Sequence, residues 1–389
     1  MRSLAAGVLL LASCASAAVR QESGAARAPP APRARQEWRH WEAFRKGFIS
    51  PDGRVIDRAP RGDGRTTSEG QAYGLFFALV AGDRDTFDLL RGWTLENLQR
   101  GDPGALPAWL WGSDAKRGAY GVLDPNPASD ADLWLAYCLL EGARLWDAPR
   151  LREEARALLV AVAAREVQEV ASAGPVLLPG PEGFRLEGGA LRLNPSYLPP
   201  QVLRALALSG VRGPWARLED TSLRLVAAAC GQHGLAPDWV RLSDGALLPD
   251  AQDANRGAYD AIRVILWAGM LPAEAPGRAR LLSACGGLVR LIGPGGDVPE
   301  AVDVATGRAG PRAGPPGFQG ALLPALLATG ETLLAAMLRE RLAAVESDGL
   351  FGAPAAYYDQ ALLLFALGHV EGRFRFSPEG ALLPSWSAP

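Results

Sequence analysis

Apolar residues recur at helical spacing along most of this 389-residue chain, in segments separated by glycine and proline. The pattern predicts about twelve helices: one around Trp41 and eleven over residues 69–82, 84–99, 129–147, 150–171, 198–209, 214–230, 256–271, 274–291, 317–328, 330–346 and 356–369. Helices of similar length joined by alternately short and long loops are typical of antiparallel hairpins arranged in a ring, with one layer inside another. We therefore predict a mainly α fold, an (α/α)6 barrel.

Strand patterns are few. They cover residues 174–179, residues 184–193 with a predicted hairpin turn at Glu187-Gly188-Gly189, and a short stretch at 54–57. The predicted barrel therefore carries only a small β excursion. A helical solenoid is the alternative architecture, but the chain lacks the fixed-period self-similarity of solenoid repeats.

The N-terminal region differs in composition from the rest. Residues 1–18 place one arginine before an apolar stretch and small residues, which predicts a signal peptide and export, periplasmic or secreted. Two cleavage sites compete: Leu11 to Cys14 resembles a lipobox that would leave a lipid anchor on Cys14, and Ala15 to Ala17 fits an ordinary signal peptidase. Residues 19–37, rich in Ala, Pro and Arg, predict a disordered tether, and residues 38–389 a single folded domain.

Overall charge and cysteine spacing limit the class of partner. A net charge of −2 and an isoelectric point near 6.0 provide no basic field for nucleic acid, so a neutral substrate fits better. Beyond Cys14, the cysteines Cys138, Cys230 and Cys285 are far apart in sequence, and the three histidines are scattered. These spacings predict neither a disulfide framework nor a metal site, and no sequence motif indicates a cofactor.

Carboxylates are the reactive groups that remain. Three acidic clusters each lie where a loop enters a predicted helix: residues 66–69, 129–132 and 258–261. Taken one at a time, each has a structural explanation: a capping box of Thr66 with Glu69, a cap of Ser129 with Asp132, and an ion pair of Asp260 with Arg263.

Taken together, the clusters favour chemistry, because helix N-termini at one end of an α/α barrel would bring carboxylates from distant segments into one cleft. Glycoside hydrolysis needs such a pair: a protonated carboxyl for the leaving oxygen and an ionised carboxylate that activates water. A helix N-terminus lowers the pKa of a carboxyl group. The acid therefore needs burial and a neighbouring negative charge, which Asp130 or Asp132 could supply.

Tryptophans outside the helical stripes are candidate platforms for sugar rings. Trp109, Trp111 and Trp239 lie in predicted loops, where an indole face could stack on the apolar face of a sugar. Burial in the core is the alternative for each of them. Core burial is our prediction for the tryptophans on predicted helices, namely Trp93, Trp134, Trp146 and Trp267.

Eight ordered motifs make the chain resemble glycoside hydrolase family 8, and within it the periplasmic endoglucanases that accompany bacterial cellulose synthesis. The motifs cover most of residues 38–370 and are GRVID (53–57), TTSEGQAYG (66–74), PAWLWG (107–112), NPASDADLWLAY (126–137), NPSY (194–197), PDWV (237–240), YDAIR (259–263) and YYDQAL (357–362). The resemblance implies an (α/α)6 barrel and an inverting endo-β-1,4-glucanase that acts on cellulose-type β-1,4-glucan. It also implies a link to the cellulose synthase machinery, and we expect a monomer.

The resemblance assigns roles to several residues. Glu69, in the SEG motif, corresponds to the proton donor, and Asp260, in YDAIR, takes the general-base position. Tyr197 matches a tyrosine that helps to hold the catalytic water, and Arg263 matches an arginine beside the base. Tyr73 is a further substrate-binding candidate, and the aspartate that positions substrate is either Asp130 or Asp132.

Two alternatives to a β-1,4-glucanase stay open. The same scaffold can act on another β-1,4-linked glycan, chitosan or xylan, and the sequence does not identify the loop residues that would decide. A glucan-binding assembly factor without activity is the other alternative, and the presence of both Glu69 and Asp260 disfavours it. An inverting enzyme requires its two carboxyl groups to lie about 6.5–9.5 Å apart, with a water between them.

Overall fold

Residues 37–58, 64–114, 116, 118–250, 252–253 and 255–387 are described by the computed structural model of the chain. The predicted signal peptide, Cys14 and residues 19–36 of the predicted tether lie outside these ranges. Within the described ranges, twelve α-helices form: α1 (Arg39–Phe48), α2 (Ser68–Ala81), α3 (Arg84–Asn97), α4 (Ser129–Leu145), α5 (Pro149–Arg165), α6 (Pro200–Leu208), α7 (Trp215–Ala229), α8 (Ile262–Met270), α9 (Arg278–Cys285), α10 (Pro316–Thr329), α11 (Thr332–Ala344) and α12 (Tyr357–Val370).

The helices form two concentric layers. The even-numbered helices contact one another in a closed order, from α2 through α4, α6, α8 and α10 to α12 and back to α2. Each of them also packs against an odd-numbered helix, so that α2 pairs with α3, α4 with α5, and so on to α12 with α1. The predicted (α/α)6 barrel is thus confirmed, and a closed inner ring excludes the open solenoid.

Sequence composition explains which helices lie inside. Every residue of α2 except Glu69 is buried, and all nine residues of α8 are buried. Outer helices bury a single stripe, as α1 does with Trp41, Phe44 and Phe48. A helix that is apolar on all sides is stable only when it is surrounded, whereas an amphipathic helix can cover the outside of the core. Helix polarity therefore accounts for the inner position of α2 and α8 and the outer position of α1.

Large aromatic side chains fill the centre of the inner ring. Phe76 of α2 stacks on Phe365 of α12, with ring centroids 5.0 Å apart, and Trp134 of α4 lies 5.4 Å from Trp267 of α8. Tyr73 joins this cluster 5.2 Å from Phe365. Because such rings bury a large apolar area and interlock edge to face, they fix four inner helices relative to one another.

Fifteen short strands form six small antiparallel sheets within the described residues. The strands are β1 (Thr66–Thr67), β2 (Leu110–Asp114), β3 (Ala119–Asp124), β4 (Val167–Val170), β5 (Gly174–Leu177), β6 (Leu191–Leu193), β7 (Val240–Ser243), β8 (Ala246–Pro249), β9 (Arg256–Gly257), β10 (Val302–Asp303), β11 (Arg308–Ala309), β12 (Glu346–Ser347), β13 (Leu350–Phe351), β14 (Phe374–Phe376) and β15 (Leu382–Pro384). Several of them lie just before an inner helix: β1 precedes α2, β9 precedes α8, and the β12–β13 hairpin precedes α12. They therefore surround the N-terminal ends of the inner helices.

Some predicted boundaries were wrong. The helix predicted over 150–171 ends at Arg165, and residues 167–170 form β4 instead, paired with β5. The helix predicted over 256–271 begins only at Ile262, and α9 begins at Arg278 rather than near 274. The strand predicted at 174–179 is confirmed as β5, and the predicted turn at 187–189 lies inside an Arg185–Leu191 bridge. Across the described part of the chain, no helix combines the length and apolarity that crossing a bilayer requires.

Candidate active site

A cleft of about 610 Å³ opens where the first turns of α2 and α12 meet the segment that leads into α8. Its wall consists of charged and aromatic side chains with little aliphatic surface. The lining residues are Asp57, Arg65, Thr67, Glu69, Tyr73, Trp109, Tyr259, Asp260, Arg263, Pro315, Ala356, Tyr357, Tyr358 and Asp359. Five residues that the sequence singled out thus share this cleft: Glu69, Tyr73, Trp109, Asp260 and Arg263.

Glu69 is the one residue of α2 that is not fully buried, and it faces the cleft. The predicted capping box of Thr66 and Glu69 does not form. Thr67 caps the helix by accepting a hydrogen bond from the Gly70 N–H at 3.1 Å, and the Thr66 hydroxyl donates to the Val55 carbonyl at 2.6 Å. Because other residues cap α2, the Glu69 carboxyl is available for chemistry.

The surroundings of Glu69 favour its protonated form. Burial raises the pKa of the Glu69 carboxyl, and the negative charge of Asp260 raises it further. Backbone hydrogen bonding and the positive charge of Arg263 oppose this shift without cancelling it. Desolvation outweighs the helix dipole here, as a general acid requires.

Arg263, in the first turn of α8, is buried and joins four side chains. Its Nη1 donates to Tyr73 Oη at 3.0 Å and to Asp130 Oδ2 at 2.9 Å. Its Nη2 donates to Ser196 Oγ at 2.9 Å and to Asp260 Oδ1 at 2.7 Å. The guanidinium thus holds carboxylates from α4 and from the start of α8 in fixed positions, which confirms the predicted Asp260–Arg263 ion pair.

The two aspartates of the SDAD motif lie in different environments. Asp130 belongs to the Arg263 network, and burial raises its pKa to about 7, with a further increase from the charge of Glu69 and opposition from Arg263. Asp132 is 0% exposed and lies beside the equally buried Glu166. Of the two aspartates between which the sequence could not choose, only Asp130 is therefore placed to act near the cleft.

Asp132 and Glu166 form a buried acid pair. None of their four carboxylate oxygens has an N–H or O–H donor from another group in the described structure, and the two carboxyls hydrogen-bond to each other. Burial raises the pKa of Asp132 well above its usual range and that of Glu166 to about 8. Two carboxylates cannot both be ionised at this contact, so the pair shares one proton.

Asp238, of the PDWV motif, fixes the backbone around Asp260. Its Oδ1 accepts hydrogen bonds from the N–H groups of Ala258, Asp260 and Ala261, at 2.8, 3.0 and 2.7 Å. Burial raises the pKa of Asp238 to about 6, and the charge of Asp260 adds to the shift. Asp238 was not among the predicted site residues, and the PDWV motif that contains it was the only signal in the sequence.

Only Trp109 of the three candidate tryptophans lines the cleft, and the Ser68 N–H donates to its carbonyl at 3.0 Å. Trp111 was predicted in a loop but lies in β2, where it stacks on Tyr120 with centroids 5.3 Å apart. The Arg54 guanidinium covers a face of Trp111 at 4.4 Å.

The other candidate platform, Trp239, lies outside the cleft wall. It stacks on Phe184 at 5.9 Å and lies 6.2 Å from Tyr197, while the Arg192 guanidinium sits 4.0 Å from its ring centre. Tyr197 in turn lies 5.4 Å from the Arg263 guanidinium, so this aromatic group borders the Arg263 network.

Residues of the YYDQAL motif complete the cleft and were not among the predicted site residues. Tyr357, Tyr358 and Asp359 form the first turn of α12, and Tyr358 Oη donates to the Tyr259 carbonyl at 2.5 Å.

Among the described residues, no group of three or more histidine, cysteine, aspartate or glutamate side chains is arranged to hold a metal ion. The carboxyl groups of Glu69 and Asp260 at the cleft wall are suited to acid–base chemistry.

Comparison with known proteins identifies the family to which the chain is similar. A family described as "Glycosyl hydrolases family 8" matches residues 25–372 of the chain. The chain is 44% identical over 353 residues to an endoglucanase of Xanthomonas axonopodis pv. citri (strain 306), and 43% identical over 353 residues to an endoglucanase of Escherichia coli (strain K12). These alignments cover 90% of this chain and 90% and 91% of the two relatives.

A solved structure shows the same architecture. The crystal structure of an endo-1,4-D-glucanase from Vibrio fischeri ES114 superposes with a TM-score of 0.82 at 39% sequence identity. The superposition covers 90% of this chain and 100% of that one. Fold and sequence therefore both correspond over 90% of the chain.

Proposed function

The chain belongs to glycosyl hydrolases family 8, and on that premise we propose that this glycoside hydrolase is an endo-β-1,4-glucanase that cuts cellulose-type β-1,4-glucan with inversion at the anomeric carbon. One observation carries the proposal most directly. A half-buried Glu69 that favours its protonated form and an Asp260 held by Arg263 line the same cleft. These are the two carboxyl states that inverting hydrolysis requires.

In the proposed reaction, Glu69 donates its proton to the glycosidic oxygen as the bond to the anomeric carbon breaks. Asp260 takes a proton from a water molecule, and the oxygen of that water attacks the anomeric carbon from the opposite face. The ion pair with Arg263 fixes the direction of the Asp260 carboxylate. The water contributes its oxygen to the product, and the configuration at the anomeric carbon is inverted.

Asp130, Tyr73, Tyr197 and Trp109 supply the proposed substrate contacts. Asp130 and Tyr73 both receive hydrogen bonds from Arg263, which holds them at a fixed distance from Asp260, and Tyr73 lines the cleft. Burial raises the pKa of Tyr73, which keeps its phenol neutral. Trp109 offers an indole face at the cleft wall for a sugar ring, and Tyr197 borders the water position.

The test uses purified wild type, Glu69→Gln and Asp260→Asn on carboxymethylcellulose, chitosan and xylan, with reducing ends as the readout. We expect cleavage of the cellulose substrate and a loss of about 10³-fold or more in each variant, because each loses one proton-transfer step. Circular dichroism checks that both variants fold. Activity only on chitosan or xylan would replace the proposed substrate, and an inactive folded wild type would favour the binding-factor alternative.

The stereochemical part is tested separately. Proton NMR of early products from cello-oligosaccharides should show the α-anomer first, because inversion of a β-linkage yields an α-hemiacetal. If the β-anomer accumulates first, the mechanism is retaining and the role proposed for Asp260 is wrong.

We also propose that the enzyme is exported, acts as a monomer and serves cellulose synthesis, either free in the periplasm or anchored through a lipid on Cys14. The layout of residues 1–18 supports export, and the resemblance to endoglucanases of cellulose synthesis supports the partner. Metabolic labelling with an alkyne fatty acid in a bacterial host should label wild type and spare Cys14→Ala if the lipobox is used. An unlabelled mature protein that starts after Ala17 would favour ordinary cleavage, and light scattering should give a mass near 41.1 kDa or less.

A further inference from the structure

Two cysteines that are far apart in sequence lie side by side in the fold. Cys230 directly follows the last residue of α7 and is 1% exposed. Cys285 is the last residue of α9 and is 3% exposed. Their spacing in the sequence predicted no disulfide framework, and the sequence alone did not show that they are neighbours.

The backbone around both cysteines is held together by hydrogen bonds. The Gly287 N–H donates to the Gly234 carbonyl at 2.8 Å, and Arg290 Nη2 donates to the His233 carbonyl at 2.8 Å. A Cβ added to Gly234 would lie 3.1 Å from the Ala284 carbonyl oxygen, so the segments after α7 and at the end of α9 touch directly. The two cysteines thus sit on segments whose separation is fixed.

Within this contact both thiols are free and buried. The neighbouring Cys285 thiol and burial raise the pKa of the Cys230 thiol. As long as the segments stay packed, the thiol form is favoured and exchange with outside reagents is slow. Partial opening of α9 would expose both sulfurs together.

We propose that Cys230 and Cys285 form a disulfide bond that joins the end of α7 to the end of α9. The pairing does not depend on the glucanase function proposed above. Cys285 also lines a small cavity with Ala258 and Ala261, which belong to the turn around Asp260, so the bridge would brace the wall behind that turn.

A disulfide reagent such as oxidised glutathione accepts the two electrons that the cysteines lose. The thiolate of one cysteine attacks a reagent sulfur, which forms a mixed disulfide and releases one reagent thiol. The second cysteine then attacks the protein sulfur and releases the other reagent thiol. Two electrons pass from the protein to the reagent, and the two protons of the cysteines end on the two released thiols.

Cys138 provides an internal control. It is equally buried, but its thiol contacts the Ala72 carbonyl at 3.7 Å and has no thiol beside it. If accessibility alone decided which thiols are oxidised, Cys138 would be oxidised to the same extent as Cys230 and Cys285. If proximity decides, Cys138 stays reduced.

Peptide mapping tests the pairing. The full chain is refolded from urea with oxidised and reduced glutathione, alkylated without reduction and cut with trypsin. Cleavage at arginine places Cys230 in peptide 225–241, Cys285 in peptide 281–290 and Cys138 in a third peptide. We expect 225–241 and 281–290 as one linked species, two hydrogens lighter than their sum, and an alkylated Cys138. Alkylation of both Cys230 and Cys285, or a link that includes Cys138, would overturn the proposal.

Thermal unfolding tests what the bond does. Because the bond closes a loop of about 55 residues, we expect the unfolding midpoint of the oxidised protein to fall by about 5 °C when dithiothreitol is added. Cys230→Ala and Cys285→Ala should lose this response, and Cys138→Ala should keep it. Comparing each variant with and without reductant removes the effect of the substitution itself. If oxidised wild type has the same unfolding midpoint with and without dithiothreitol, the stabilising role is wrong.

Discussion

At the scale of single residues, one buried guanidinium organises the site. Arg263 places a single positive charge between Asp130 and Asp260. Without that charge, the two carboxylates would repel each other. Each of its two terminal nitrogens serves one carboxylate and one hydroxyl, so the planar group fixes direction as well as charge. The charge of Arg263 acts on Glu69 without a direct hydrogen bond between the two side chains. The proton of Glu69 therefore stays available for transfer.

Asp238 should act as a positioning residue for Asp260. In Asp238→Ala, three buried N–H groups lose their acceptor, and we expect kcat on carboxymethylcellulose to fall about 10- to 100-fold as the turn relaxes. In Asp238→Asn, the amide oxygen can accept the same three bonds, so most of the activity should remain. Steady-state kinetics of both variants, with circular dichroism as the folding check, gives the answer.

The two substitutions also separate geometry from charge. A loss in Asp238→Asn as large as in Asp238→Ala would show that the negative charge, and not the acceptor, is what the site needs. Wild-type kcat in Asp238→Ala would remove the positioning role. A rise in KM with unchanged kcat would place the effect in substrate binding instead.

Sequence motifs located most of the site but could not assign its second aspartate. Residues two apart on a helix point in nearly opposite directions, so Asp130 and Asp132 cannot both face the cleft. On an amphipathic helix the apolar stripe would show which one faces inward. The buried residues of α4 run without a break from Ser129 to Ala143, so its pattern carries no such information. The choice depends on helix rotation, which packing sets.

At the scale of elements, the inner helices approach one another closely at glycines. A Cβ added to Gly269 on α8 would lie 2.4 Å from the backbone N of Ala325 on α10. No flexible side chain is available there to move aside, because the obstacle is main chain. The contact between α8 and α10 therefore depends on the absence of a side chain at this position.

We expect Gly269→Ala to destabilise the protein by about 2 kcal/mol or more, because α8 must shift away from α10. Gly92→Ala is the matched control, since Gly92 lies within the outer helix α3 and an added Cβ meets nothing within 4 Å. That control should be neutral or stabilise by about 0.5–1 kcal/mol through helix propensity. Urea unfolding followed by circular dichroism measures both, and equal effects would contradict this account of the contact.

Element boundaries near the site were the part that periodicity could not predict. The apolar pattern suggested a helix from residue 256, yet α8 starts at Ile262. The cause is Asp238, which binds the N–H groups of residues 258, 260 and 261 from a distant segment. A local pattern cannot reveal an acceptor that arrives from about 20 residues upstream. Most of the other strands were missed for a related reason, since many are only two residues long and are defined by their partners.

At the scale of the whole molecule, the acid pair of Asp132 and Glu166 should make folding stability depend on pH. The folded-state pKa of Glu166 is about 8, above its ordinary value of 4.5, so the native state keeps a proton that the unfolded state releases. Stability from this group is present at low pH and is lost as pH rises between those two values. We expect the loss to be on the order of 5 kcal/mol, at about 1.4 kcal/mol for each pKa unit.

Glu166→Gln tests this sign. The glutamine side chain does not titrate and can hydrogen-bond to Asp132 at every pH, so the variant should gain stability relative to wild type as the pH rises from 5 to 8. Glu169→Gln is the control, because Glu169 is exposed and its ion pair with Arg217 is on the surface. Denaturant unfolding at several pH values gives the comparison, and parallel curves for wild type and Glu166→Gln would contradict a shared proton.

Contacts between distant segments mark the limit of what the sequence could predict for the whole molecule. The (α/α)6 barrel follows from helix polarity and loop length, which are local properties. The meeting of Asp132 with Glu166, and of Cys230 with Cys285, depends on how the helical hairpins close into a ring. Spacing between these residues carries no signal of that closure.

The location of the ionisable groups has a consequence for how this scaffold can change over evolution. Glu69, Asp130 and Arg263 lie on the first turns of inner helices, where a change disturbs the core as well as the reaction. Trp111, Tyr120 and Trp239 lie on or beside short hairpins that pack against the barrel end. A lineage can therefore vary these hairpins while Glu69, Asp130 and Arg263 keep their positions in the inner helices. Such modularity makes the small sheets the natural place for sequence change and for engineered insertions.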